Sequence, residues 1–360
     1  MSLKILYAYN WVPDHQRRGK FSECSTSETV AYIEQVLTSF GASVIRLNLL
    51  NPSQMIDALK YYSPLDLAFI TAEGFLDEPA SMYDGTGTMK LRQILEQAGI
   101  PYTHSGVNGM MCCRNKKMTY SHLEQAGVPI PKNCVLFQPI TVDSIEMAER
   151  EVGYPMFVKP CGGGSSIGID EKSIVRCRDE LVDKLKQLVQ IIDDQPVIAE
   201  TYLSGREYTV GVIGNELPIV MPIIAFPEDV TVRSHAVKNE EHQERGRFEV
   251  LNVDRTIGLK IREKSLKVFR SLPVRDLIRI DFKQDEHENI FVIDVNGTPS
   301  MSLRGSIAFM AKSAGLKYRD FVGFFLFTVL TRYNVPICNE LEETAIRVRA
   351  ALLGLDNQVA

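Results

Sequence analysis

Four short stretches hold residue types whose spacing could do chemistry. The densest is Phe157-Val158-Lys159-Pro160-Cys161-Gly162-Gly163-Gly164-Ser165-Ser166-Ile167-Gly168. A strand-like run delivers a lysine into a loop with four glycines and two serines. Glycines let successive backbone N–H groups turn towards one point, and serine hydroxyls add donors, which suits phosphate oxygens. The spacing fits neither a Walker loop nor a dinucleotide fingerprint. A surface hairpin would tolerate the same glycines. The second stretch pairs Arg279-Ile280-Asp281 with Ile293-Asp294-Val295-Asn296 across the polar turn 283–289. Strand alternation puts Arg279 and Asp281 on one face, and Asp294 and Asn296 on one face. A hairpin would gather two carboxylates and an amide oxygen, a donor set magnesium accepts when phosphates supply the rest. A solvated hairpin face is the plainer alternative.

The other two stretches are weaker alone. Asn115-Lys116-Lys117 opens a helical pattern, where either lysine could reach a phosphate or simply face water. Glu200-Thr201-Tyr202-Leu203-Ser204-Gly205-Arg206-Glu207 joins two strand-like runs. Its acids could bind an adenine amino group and ribose hydroxyls, or be ordinary surface acids.

The elements that must position these residues fall into three regions. Residues 3–9, 43–49 and 66–72 read as strands, 27–40, 53–62 and 89–98 as helices, and 100–102 as a short strand. This β-α rhythm predicts a small parallel sheet covered by helices. After about residue 105 the pattern becomes α+β, with helices at 114–126, 142–152 and 179–191 and strands at 134–137, 156–159 and 197–200. From Thr201, strands at 207–213 and 218–224 flank Gly214-Asn215, a hairpin signal. Helices follow at 257–271, 306–314 and 318–330, with strands at 276–282 and 289–295. The polar stretch Pro227–Asn252 has little periodicity, and a loop of that length reads better as a lid than as an accident. The tail from Asn339 carries Leu341, Ala345, Val348 and Leu352 at helical spacing, so it should dock on the body or on a second subunit.

Composition sets the bounds. The chain has 360 residues, 45% hydrophobic and 24% charged, which excludes disorder and asks for more than one core. Its formal charge of −5 gives no global reason to bind nucleic acid or an anionic membrane, so an anionic ligand must be met by locally placed cations. The seven cysteines lack a zinc-like spacing and read as free thiols of a reducing compartment. No basic-then-apolar leader opens the sequence, and the run Phe321–Leu330 is about half a membrane span, so a soluble cytoplasmic protein is expected.

Taken together and in order, these residues resemble the ATP-grasp superfamily, and within it the D-alanine–D-alanine ligase group. The resemblance runs from about residue 66 to 330. It includes Tyr83-Asp84-Gly85-Thr86-Gly87-Thr88 and Gly99-Ile100-Pro101-Tyr102-Thr103-His104-Ser105-Gly106, then Asn115-Lys116, the Lys159–Gly168 loop, Glu200–Val210, Arg279–Asp281 and Asp294–Ser302. It implies a three-domain fold, α/β and α+β, with an N-terminal Rossmann-like parallel sheet. The divisions would fall at 1–106, 107–200 and 201–335, with a helical tail at 336–360.

By the same resemblance, ATP would lie between the second and third domains. Lys116 and Lys159 would contact its α- and β-phosphates, and Ser165, Ser166 and Ile167 would cover them. Leu203 would meet adenine through its backbone, with Glu200 near the amino group and Glu207 on the ribose. Asp281, Asp294 and Asn296 would hold two magnesium ions, with manganese as an alternative. Arg279 would offset charge on the reacting carbonyl. Lys238 matches a lysine that approaches the γ-phosphate, and Glu28 matches an acid that orients the first substrate. The implied reaction makes an acyl phosphate and ADP, and an amine then displaces phosphate. Relatives with this architecture are commonly dimers, which makes a homodimer the state to test.

The substrate half departs from the family pattern. The loop Asn10–Cys24 is long and carries Trp11, His15, Arg17 and Arg18. Asn239 stands where a tyrosine is usual, and Gly305 where a serine is usual, with Arg304 before it and Ser306 after. Asp294 replaces the usual glutamate. Arg17, Arg18 or Arg304 could each clamp a carboxylate. The leading expectation is therefore an ATP-dependent carboxylate–amine ligase for amino acids or a small biosynthetic intermediate. The alternatives are peptidoglycan D-alanine–D-alanine ligase and a non-catalytic ATP-binding scaffold.

Overall fold

The computed structural model of the chain describes residues 3–164, 167–192, 194–230, 232, 248–251 and 256–357. The first region alternates strand and helix. Strands β1 (Lys4–Tyr9), β2 (Ser43–Asn48) and β3 (Leu67–Ile70) form a parallel sheet in the order β2-β1-β3. The centre of β1 and all of β3 are buried, as expected for a parallel sheet covered on both faces. Helices α1 (Ser27–Ser39), α2 (Pro52–Tyr61) and α3 (Thr86–Gln97) supply the cover. Thr26 and Asn51 cap the first two, accepting from the Thr29 and Gln54 backbone N–H groups. The strand expected at 100–102 is a single bridge, Ala68 to Tyr102, because Pro101 has no N–H to extend the ladder.

A helix the sequence pattern did not announce, α4 (Val107–Cys113), precedes α5 (Lys116–Gln125). Asn115 divides them, its Oδ1 accepting from the Met118 N–H at 3.2 Å. The second sheet is antiparallel, in the order β4-β7-β5-β6, and includes β4 (Asn133–Leu136), β5 (Met156–Pro160), β6 (Ile174–Val175) and β7 (Val197–Thr201). Helices α6 (Val142–Glu151) and α7 (Arg178–Val189) back it and share a separate apolar core with it.

The third sheet is built on β8 (Glu207–Gly214), with β9 (Ile219–Val220), β10 (Ile224–Ala225), β11 (Glu249–Val250), β12 (Asp276–Gln284) and β13 (Ile290–Asn296). The single strand expected over 218–224 is two short ones, split around Pro222, which cannot donate to a ladder. Helix α8 (Thr256–Ser271) packs on this sheet, and α9 (Ser306–Ser313), α10 (Tyr318–Arg332) and α11 (Asn339–Asn357) close the chain. The tail helix docks on the body: Leu341, Ala345, Val348 and Leu352 join one core with α10, α1 and the inner strands β1 and β3. Among the described residues no helix is long and apolar enough to cross a membrane. Of the seven cysteines, all free, Cys177 and Cys338 are exposed and the rest buried.

Candidate active site

A cavity of about 380 Å³ opens between the second and third sheets. Its nucleotide-like end is assembled where three elements meet. The cap at Asn115 places Lys116 in the first turn of α5, and the Lys116 N–H donates to Cys161 O at 3.0 Å. A bridge from Asn115 to Gly162 ties this helix start to the glycine-rich loop. The loop leaves β5 directly after Lys159 and Pro160, so both lysines reach one space by short routes.

Each lysine rests on a carboxylate. Lys159 Nζ lies 2.9 Å from Glu200 Oε2, and both side chains are buried. Tyr120 donates to the other oxygen of Glu200 at 2.8 Å. Lys116 Nζ lies 3.0 Å from Asp294 Oδ1. A β-bulge shapes the far wall: Asp281 faces Asp294, but Phe282 faces Val292, leaving Ile293 as the extra residue. The Ile293 carbonyl accepts from Lys159 Nζ at 3.2 Å and from the Tyr120 hydroxyl at 3.1 Å. The bulge thus fastens the third sheet to the lysine of the second.

The register places Asp281 opposite Asp294 and Arg279 opposite Asn296. Arg279 grips Asp281 through two bonds of 3.1 Å, and Thr209 donates to Asp281 Oδ1 at 2.6 Å. Burial pushes the Asp294 pKa up, but Lys116 and Lys159 outweigh it and hold the group at about 2. Burial opposes ionisation of Asp281 too, and Arg279 more than offsets it, leaving the pKa below the usual carboxylate range. Burial likewise disfavours charged Lys116, yet Asp294 raises its pKa. Asp294, Asp281 and Lys116 therefore stay charged at neutral pH.

Among the described residues no set of three or more His, Cys, Asp or Glu side chains gathers as a metal cage. The donor set Asp281, Asp294 and Asn296 still fits magnesium shared with phosphate oxygens, since two ionised carboxylates and an amide leave coordination positions open.

The structure brings together Lys116, Lys159, Ile167, Glu200, Leu203, Glu207, Arg279, Asp281, Asp294 and Asn296, all of which line the cavity. Ser165, Ser166 and Lys238 lie outside the described residues. Glu28 does not line the cavity: it is exposed in the first turn of α1. The acid of the N-terminal region that does is Glu23, at the end of the Asn10–Cys24 loop. It lies beside Gly164 of the glycine-rich loop and Arg114, which is paired with buried Glu73. Tyr120 and Thr209 were missed by the sequence reading. Each repeats the position of a recognised residue, Tyr120 one helical turn after Lys116 and Thr209 on the same strand face as Glu207.

With this geometry in place, comparison with known proteins is decisive. A family model described as D-ala D-ala ligase C-terminus matches residues 123–326. A D-alanine–D-alanine ligase of Dechloromonas aromatica is 32% identical over 290 residues, covering 80% of this chain and 88% of that one. The chain belongs to the D-alanine–D-alanine ligase family. A second relative, the D-alanine–D-alanine ligase of Deinococcus radiodurans, is 31% identical over 66% of this chain and 69% of its own length. In structure, a D-alanine–D-alanine ligase from Bacillus anthracis complexed with ATP superimposes with a TM-score of 0.67 over 92% of this chain and 99% of that one. At 20% identity that likeness speaks for the fold, which is ATP-grasp. As a member of the D-alanine–D-alanine ligase family, the chain is an ADP-forming ATP-grasp ligase.

Proposed function

We propose that this ligase activates the carboxylate of D-alanine with ATP and joins it to the amine of a second amino acid. The observation that carries the reading is the gathering of Lys116, Lys159, Asp281, Asp294 and Asn296 in the wall of one cavity. D-alanine is chosen because the similar proteins bear the name D-alanine–D-alanine ligase. Those names also favour a second reading, D-alanine in both positions.

In this proposal the triphosphate enters between the sheets. Lys116 and Lys159 turn from Asp294 and Glu200 towards its oxygens. Glu200, Leu203 and Glu207 take the adenosine end. Asp281, Asp294 and Asn296 would hold one or two magnesium ions, which offset phosphate charge when bound. A carboxylate oxygen of D-alanine forms a bond to the γ-phosphorus, the β–γ bridging bond breaks, and ADP leaves. Arg279, fixed by Asp281, offsets charge at the carboxyl being activated. The amine then attacks the acyl carbon and loses a proton, and phosphate leaves with the C–O electron pair. Glu23 faces the first substrate's ammonium in place of Glu28. Ser165, Ser166 and Lys238 are proposed to close over the phosphates and exclude water from the acyl phosphate.

The test is ADP formation over pairs of amino acids, with the dipeptide identified by mass. D-alanine-dependent ADP formation with a dipeptide product is the expected result. ADP formation that no amino acid stimulates would leave only a nucleotide-binding scaffold.

A further inference from the structure

Two arginines of the cavity wall, Arg17 and Arg304, lack a buried carboxylate partner among the described residues. Among the described residues, seven cationic side chains line the cavity: Arg17, Arg114, Lys116, Lys159, Arg279, Lys283 and Arg304. Five have carboxylate partners in the wall or behind it. Lys116 has Asp294, Lys159 has Glu200, Lys283 has Glu207 at 3.7 Å, Arg279 has Asp281 and Arg114 has Glu73.

Arg304 and Arg17 differ from these. Arg304 makes no ion pair with any described residue, and only its backbone N–H is engaged, by Ser302 Oγ at 3.3 Å. Arg17 donates from Nε to Cys24 O at 3.0 Å, and its ion pair is a 3.6 Å contact with Asp14, whose side chain is 80% exposed. Such a contact contributes little and is easily exchanged for a better one. The loop that presents Arg17 is nevertheless well anchored. Its ends are joined by a bridge between Trp11 and Ser25, Asn10 is buried with bonds to Leu49, Glu73 and Gly74, and Val12, Cys24 and Met82 form a small core beneath.

Charge matching then limits the substrate. Of the two carboxylates in a pair of neutral amino acids, one becomes the acyl phosphate, beside Arg279. The other, on the amine donor, needs one of the two remaining arginines. Among the described residues the second arginine, Arg17, has only the exposed Asp14 as a counterpart. We infer that the amine-donating substrate is an acidic amino acid, its two carboxylates bound by Arg17 and Arg304 in the bidentate fashion guanidinium favours. This inference rests on the ligase reading above.

The test uses the full chain with ATP, magnesium and D-alanine, and compares aspartate and glutamate of both configurations with asparagine and glutamine as neutral isosteres. The expected result is a preference for the acid over its amide of at least about tenfold in kcat/KM. Arg17→Met and Arg304→Met should each collapse that preference, and Arg17→Lys should restore part of it. Equal use of acid and amide, or a preference untouched by both Met variants, overturns the inference. Binding is read separately from turnover through Trp11, the chain's single tryptophan, which lies at the start of the same loop. With a non-hydrolysable ATP analogue, the acid and not the amide should change its fluorescence. That result without ADP formation from any pair would retire the ligase reading and keep the site. ADP formation from D-alanine alone, with no advantage for the acid in either assay, would do the reverse.

Discussion

Two ion pairs, one of them buried, decide what single substitutions do at this site. Lys159 and Glu200 are both almost fully covered, and Glu200 has Tyr120 as its other partner. Removing one member strands the other in a poorly solvated place. Lys159→Met should therefore lower stability by about 3–5 kcal/mol as well as weaken ATP binding. Adding Glu200→Gln should recover part of the stability and none of the ATP affinity; denaturant midpoints and KM for ATP separate the two effects. Asp281→Asn tests the other wall. The amide keeps the shape but loses the charge that fixes Arg279 and would bind metal. A fall in kcat/KM of at least about a hundredfold is expected, together with a raised magnesium requirement. Near-normal turnover would remove Asp281 from the metal set.

At the scale of elements, the sequence was most legible where periodicity is local. The hairpin of β12 and β13 could be placed because Arg279, Asp281, Asp294 and Asn296 alternate on strands separated by a polar turn. Its bulge could not, because nothing in Ile293-Asp294 distinguishes a regular pair from an irregular one. Helix α4 escaped because Val-Asn-Gly-Met-Met-Cys-Cys has no polar face and no capping side chain. Tertiary packing, not local preference, makes it helical. That Glu23 and not Glu28 lines the cavity was not legible, because a loop has no period to say which acid points inward. The packing of α10 on α1 offers a test of element contact. A Cβ on Gly323 would meet the Phe40 ring at 2.6 Å. Alanine would gain about 1 kcal/mol of helix propensity in the open, but Phe40 is buried and Arg319 lies over its ring at 4.3 Å. Gly323→Ala should therefore be destabilising by about 1–3 kcal/mol in urea unfolding, and Phe40→Leu in the same chain should recover part of the loss.

Across the whole molecule, the first and third sheets share a core, whereas the second sheet keeps its own. The part carrying the glycine-rich loop is tied to the third sheet through the Ile293 carbonyl, which accepts from Lys159. The seam of the first and third sheets is guarded by His104, fully buried with φ of 68° and its ring 4.7 Å from that of Phe325. Burial, and then the charges of Arg92 and Arg332, lower its pKa from 6.5 to about 3. Between those values the unfolded chain binds a proton that the folded chain refuses. His104 therefore makes stability fall as pH drops below about 6.5, with a slope approaching 1.4 kcal/mol per pH unit until about pH 3. From pH 7 to pH 5 its share is about 2 kcal/mol. Asparagine tolerates a left-handed backbone and does not titrate, so His104→Asn isolates the effect. Urea midpoints of the two proteins should converge as pH falls from 7 to 5. Parallel pH profiles would mean that His104 already takes up its proton in the folded protein and that the seam is open to water.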